Sequence, residues 1–141
     1  MIVMVKSITV SATIHAPIEK VWETWTEPKH IVHWNHTSDD WETPHARNDV
    51  TVGGKFNFGM AAKDGSAKFD FEGVYTHVKE HELIKYTIVG GRKVTIHLVK
   101  QDENTKVIET FEMENENSEE MQRNGWQAIL DNFKKYAEGK K

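Results

Sequence analysis

The sequence predicts an α+β fold in which a curved antiparallel sheet of about six to seven strands wraps around one long C-terminal helix, with two short helices after the first strand. Three observations predict it. Alternation of period 2 opens the chain and returns between residues 50 and 113. All three prolines, Pro17, Pro28 and Pro44, fall in the first third, so the strand-forming stretch after them is unpunctuated by proline. From about Asn117 the apolar period becomes helical and stays so almost to the end.

Each element follows in order. Ile8, Val10, Ala12 and Ile14 alternate with Ser7, Thr9, Ser11 and Thr13, which is a half-buried strand over residues 7–14. Pro17 suits a first helical turn, and Ile18, Val21, Trp22 and Trp25 form one helical stripe ended near Pro28. Residues 29–34 give a further turn or two of helix with Ile31 and Trp34 on its apolar side. Residues 35–49 have loop composition. Val50 and Val52 read as a short strand before a Gly53-Gly54 break. Phe56, Phe58, Met60 and Ala62 form the apolar face of the next strand, and Asp64-Gly65 is a hairpin turn. Phe69 and Phe71 continue the pattern; after Gly73 the apolar positions shift to Val74 and Val78, which places a bulge at Gly73. Ile84, Tyr86 and Ile88 make another strand, Val94, Ile96 and Leu98 another, and Val107, Phe111 and Met113 share the face of the last. Asn117 or Ser118 then caps a helix whose apolar face is Met121, Gly125, Trp126, Ile129, Phe133 and Tyr136. About 20 residues at 1.5 Å each give it a length of roughly 30 Å, enough to cross a small sheet.

The 141 residues suit a single domain over 1–141. Cysteine is absent, which excludes disulfides, thiolate metal sites and thiol nucleophiles. A net charge of −4 argues against bulk attraction to nucleic acid or anionic lipid. No apolar run approaches the roughly 18 residues of a membrane span, and the opening MIVMV is too short for a signal peptide core. The chain reads as a soluble, cytoplasmic protein with no nucleic-acid partner and no membrane insertion.

Four segments carry a resemblance: SATIHAPIEKVWETWTEPKHIVHW, VGGKFNF, FEGVYTHV and NGWQAILDNFKKY. Together they cover nearly the whole chain, and their order resembles the START-like (SRPBCC) helix-grip superfamily, in the branch named after the C-terminal domain of the activator of the heat-shock protein 90 ATPase. The resemblance implies an incomplete barrel gripping its C-terminal helix, with a cavity between them. It implies one of three functions: binding of an aromatic or lipid-like small molecule, a co-chaperone-like contact with a chaperone in a stress response, or, in a minority of the superfamily, a cyclase or hydratase reaction.

Glu109 is the most informative single residue. It shares a strand face with Val107, Phe111 and Met113, and an inward carboxylate there needs a partner, solvent or a raised pKa. Two registers are open: Glu109 faces the interior as a ligand anchor or general base, or Ile108 does and Glu109 is solvated. Trp34 and Trp41 bracket the loop where the resemblance puts the cavity mouth, as stacking surfaces or as caps on the core. Phe58, Met60, Phe69, Phe71, Tyr86 and Trp126 serve either as core or as pocket wall, and Tyr86 adds a hydroxyl that needs a partner if buried. Gly125 sits inside the helix at a cost of about 1 kcal/mol relative to alanine, offset either by close helix–sheet approach or by room for a ligand beside Trp126. His30, His33 and His36 are spaced three apart, and on a helix the first and third point about 120° apart, so all three do not readily face one ion; a two-histidine site with Asp39 or Asp40 is chemically open, against the reading as exposed polar residues on a short helix and loop. No metal and no cofactor are expected. Gly53-Gly54 lacks the sequence of a phosphate loop. No nucleophile or metal motif stands out, which leans against an enzyme. The acidic stretch from Glu109 to Glu120 is a solvated face or a docking surface for a basic partner.

Overall fold

The computed structural model describes residues 6–139; the MIVMV segment lies outside them. The chain begins with β1 (Ser7–Ile14), followed by α1 (Ile18–Thr26) and α2 (Pro28–Trp34). Two short strands come next, β2 (Trp41–Glu42) and β3 (Ala46–Asn48). A meander follows of β4 (Lys55–Ala62), β5 (Lys68–Lys79), β6 (Leu83–Ile88), β7 (Lys93–Gln101) and β8 (Asn104–Glu112), and α3 (Glu119–Ala137) closes the fold. All pairings are antiparallel, in the order β1-β8-β7-β6-β5-β4-β2, with β3 also on β4. The sheet therefore has eight strands rather than six or seven. The difference is the segment expected to be loop: its polar composition conceals β2 and β3, which are too short to alternate and are held by pairing with Ala61–Ala62 and with Phe56–Phe58.

Where alternation is clean the sequence and the fold agree. Ile8, Val10 and Ile14 of β1, Ile84, Tyr86 and Ile88 of β6, Val94, Ile96 and Leu98 of β7, and Val107 and Phe111 of β8 are all buried. Three expectations are corrected. Residues 50–52 form a bend, not a strand, and Val52 is 69% exposed. The bulge falls between Tyr75 and His77, not at Gly73, so Tyr75 rather than Val74 faces inward. Gly73 stays in register with Phe56 and Ile88, and a Cβ there would lie 2.5 Å from the Phe56 ring and 2.7 Å from the Thr87 carbonyl oxygen. Glycine is thus required by the ring above it. The buried stripe of α3 is Gln122, Leu130, Phe133 and Ala137, rotated from the expected face, and Met121 is 61% exposed.

Both ends of α3 are pinned. Ser118 Oγ accepts a hydrogen bond from Met121 N at 3.1 Å, Glu119 and Glu120 oppose the positive end of the dipole, and Lys134 and Lys135 the negative end. Buried Gln122 accepts from Glu114 N (3.0 Å) and donates to the carbonyls of Glu114 (3.2 Å) and Asn117 (2.8 Å), fixing the β8–α3 connection. At the other end Glu138 Oε2 accepts from His15 N (2.7 Å) and Lys134 Nζ (2.8 Å). The helix packs on β1 and against α1 and α2, where Trp34, Trp25 and Phe133 meet with ring centroids 4.8–4.9 Å apart. It therefore covers one side of the sheet and leaves the inner face of β4, β5 and β6 without a helix directly on it. Among the described residues no helix is long and apolar enough to cross a membrane.

Candidate functional site

The uncovered half of the sheet bounds a cavity of about 440 Å³. Its volume falls within the roughly 300–1,000 Å³ of small-molecule pockets. Aromatic side chains line much of it, and the strands that face it carry six of them at alternate positions. Phe56 and Phe58 of β4, Phe71 and Tyr75 of β5 and Tyr86 of β6 meet around Phe56, whose ring centroid is 4.8–5.6 Å from the other four. On the helix side Trp126 stacks flat on Phe111, 4.0 Å away and 9° from parallel, which presents its other surroundings to the cavity and to Phe71.

Of the residues singled out from sequence, Trp34, Phe58, Met60, Phe69, Phe71, Tyr86, Glu109, Gly125 and Trp126 all border this cavity. Trp34 is also core: it is 4% exposed and donates Nε1–H to the Thr24 carbonyl at 3.0 Å. Phe69 is 54% exposed and stands at the rim. Trp41 is not among the lining residues; it packs edge-on against Phe69, 6.0 Å between centroids, behind that rim. At Gly125 an added Cβ would meet nothing within 4 Å. Close helix–sheet approach therefore does not account for the glycine, which faces open space.

Glu109 faces inward, with Ile108 half-buried on the opposite face, so the first of the two registers is the correct one. It is 6% exposed, and burial pushes its carboxyl up to about 8. Among the described residues no hydrogen bond opposes that shift. The Tyr86 hydroxyl is raised well above its usual value, first by burial, then by Glu109 and Tyr75, with Arg92 opposing. Tyr75, by contrast, has a partner: its hydroxyl donates to Asn48 Oδ1. The cavity wall thus carries two largely buried polar groups, Glu109 and Tyr86, for which no side-chain hydrogen bond is seen among the described residues. Buried groups of this kind are ordinarily paired.

Sequence reasoning missed Arg92, Gln122, Trp25 and Asn35 on the same wall. Arg92 follows a Gly90-Gly91 turn, and only the register shows its direction. It is two residues before Val94, which is the cross-strand partner of Tyr86 and Phe111. Gln122 was hidden by polarity, although its one-turn offset from Trp126 on the helix was a usable signal.

The histidines do not converge. His30 Nδ1 is 2.8 Å from the Tyr136 hydroxyl, His33 stacks on the Tyr136 ring at 5.5 Å, and burial followed by Lys63 holds His36 below its usual pKa, against Asp39. Among the described residues one group has metal-ligand chemistry: Glu23, Glu27 and His30, with ligand atoms within 4.8 Å of one another. His30 Nε2 lies 3.8 Å from Glu23 and 3.7 Å from Glu27, and the Lys29 ammonium is 3.5 Å from the same Glu27 oxygen. A lysine already stands as counter-charge, and the group lies outside the cavity wall.

An incomplete antiparallel barrel, a long C-terminal helix lying in its grip and a hollow between them define a START-like helix-grip protein. Within that class the chain belongs to the Activator of Hsp90 ATPase homolog 1-like family, whose sequence profile matches residues 15–138. The solution structure of the AHSA1-like protein from Aeromonas hydrophila is 42% identical, with 95% of this chain and 93% of that one covered and a TM-score of 0.89. A solution structure from Cytophaga hutchinsonii is 50% identical, with 94% and 92% covered and a TM-score of 0.82. A crystal structure from Chromobacterium violaceum shares the fold at a TM-score of 0.85 with 22% identity, over 94% of this chain and 98% of that one. No curated protein matches. The family and the fold support a domain of the ligand-binding or co-chaperone type.

Proposed function

We propose that this protein binds an apolar small molecule, aromatic or lipid-like, in the cavity between the sheet and α3. The observation that carries the reading is a hollow walled largely by aromatic rings, with one largely buried carboxyl group on its wall whose pKa is raised by burial. Apolar burial supplies affinity, at about 25 cal/mol per Å² removed from water. Glu109 and Tyr86 supply orientation, because a ligand head group that reaches them satisfies groups otherwise left without partners. A fully packed interior would favour a protein whose work is done on its outer surface; the hollow at Gly125 favours ligand binding. The same carboxyl would suit an acid–base step on a bound substrate, and the family name keeps a chaperone contact as the competing reading.

The test begins with native mass spectrometry of the purified protein and identification of any copurified small molecule. It continues with titration of N-phenylnaphthylamine, a neutral fluorescent probe. One probe per chain is expected. Gly125→Leu places a side chain in the open space and should stay folded while losing binding by about tenfold or more. Gly125→Ala serves as the control and should melt no lower than the parent. A parent protein that takes up neither a copurified molecule nor the probe would sink the cavity reading and bring the protein-contact reading forward.

A further inference from the structure

Arg92 stands apart from the other charged residues of the sheet. It is half-buried, borders the cavity, and immediately precedes β7 opposite Ile88, two residue pairs from Tyr86. Among the described residues its guanidinium makes one hydrogen bond, from Nη1 to the Glu112 carbonyl oxygen at 3.3 Å, and no ion pair. A guanidinium has five N–H donors arranged as a planar fork that matches a carboxylate. Four of them have no protein acceptor here, and the surrounding walls are aromatic.

We infer that the cavity selects ligands whose polar head is a carboxylate, gripped by Arg92 beside the Tyr86 hydroxyl, on a wall that also carries the Glu109 carboxyl. The inference rests on the ligand-binding reading and adds the chemical class of the ligand: an organic acid with an apolar, ring-bearing or chain-like body. A half-buried guanidinium fork on a cavity wall rich in aromatic rings, close enough to Tyr86 to influence its hydroxyl, is an arrangement that holds a carboxylate where water is excluded. At first sight a glutamate beside an anion argues against this. Glu109, however, is protonated at neutral pH and so presents an O–H. The remaining charged or titratable groups on the cavity wall are Tyr75, whose hydroxyl is engaged by Asn48, and Glu114, whose Oε1 accepts from Asn117 N at 2.7 Å. The helices facing Glu109 contribute Trp25, Trp34, Gln122, Trp126 and Ile129, none of which titrates in the relevant range. Its strand neighbours, Val10 and Ile96, are apolar.

The experiment compares head groups on a fixed body. Naphthylacetate, naphthylethanol and naphthylethylamine are titrated calorimetrically into the full chain at pH 7, and dodecanoate, dodecanol and dodecylamine form a second set. In at least one set the acid should bind about tenfold tighter than the alcohol, and the amine weakest, as expected for a charge-assisted hydrogen bond in place of a neutral one. Arg92→Met should bring the acid to the level of the alcohol, and Arg92→Lys, which keeps the charge but not the fork, should fall between. Raising the pH from 7 to 9 should weaken the acid in the parent by ionising Glu109, and should not do so in Glu109→Gln. If acid, alcohol and amine bind alike, or the amine binds best, the head-group inference is overturned while the cavity reading stands. If no member of either set binds, both are overturned. Should Arg92→Met fail to fold, Arg92→Lys and the pH series still decide.

Discussion

Glu109 gives the fold a pH dependence of unusual sign. Most carboxylates stabilise a folded protein as pH rises, because pairing lowers their pKa. Here burial raises the folded-state value from 4.5 to about 8. Below the unfolded value both states carry the proton and Glu109 costs nothing in charge. Between 4.5 and about 8 the unfolded chain has released the proton while the folded one holds it, so stability falls as pH rises, by on the order of 1 kcal/mol per pH unit. Above about 8 the loss levels off. Glu109→Gln should therefore gain stability relative to the parent steadily from pH 5 to pH 8, as read from paired urea melts. A stability difference that is flat across that range would show the carboxyl to be solvated. Under the ligand-binding reading proposed above, a ligand that engages Glu109 would restore part of the stability that burial removes.

At the scale of elements, α3 separates what the sequence made legible from what it did not. Period, cap and length were readable, because Ser118, the acidic first turn and the apolar spacing all act locally. The buried face was not, because the helix lies on β1 and α1–α2 rather than centrally over the sheet, and that offset is a tertiary fact. Ile129 consequently borders the cavity while its neighbour Leu130 is fully buried. Leu130→Ala should cost about 2–5 kcal/mol in denaturant unfolding, and Ile129→Ala clearly less, since its site is already partly empty. Equal losses would restore the face expected from sequence. The same reasoning explains the cavity. Nine of the ten expected site residues border it: Phe58, Met60, Phe69, Phe71, Tyr86 and Glu109 because alternation assigns strand faces, and Trp34, Gly125 and Trp126 because helical spacing assigns helix faces, whereas Arg92 lies at a turn, where alternation has no phase. Trp41 was placed by its closeness in sequence to the loop, and a two-residue strand set it behind the rim instead.

For the whole molecule, the order of the sheet carries a consequence for how it forms. From β4 to β8 every strand pairs with its neighbour in sequence, so these ladders can close through short turns. β1 is different: Thr9 pairs with Thr110 across a separation of 101 residues. Loop closure over that span carries an entropy cost that local hairpins avoid, and α3, which rests on β1, cannot dock before it. The route to the native state should thus run through the meander first, with β1 and α3 sealing it late. Chevron measurements can test this. Val10→Ala in β1 should leave the folding rate nearly unchanged and speed unfolding, with a φ-value of about 0–0.3, while Ile96→Ala in β7 should slow folding, with a value of about 0.5–0.8. If Val10→Ala slows folding as much as Ile96→Ala, the long-range pairing forms early instead. In the expected order the hollow is the last region to acquire its helical wall, and an apolar molecule present during refolding would meet an open, aromatic half-barrel before it met a finished pocket.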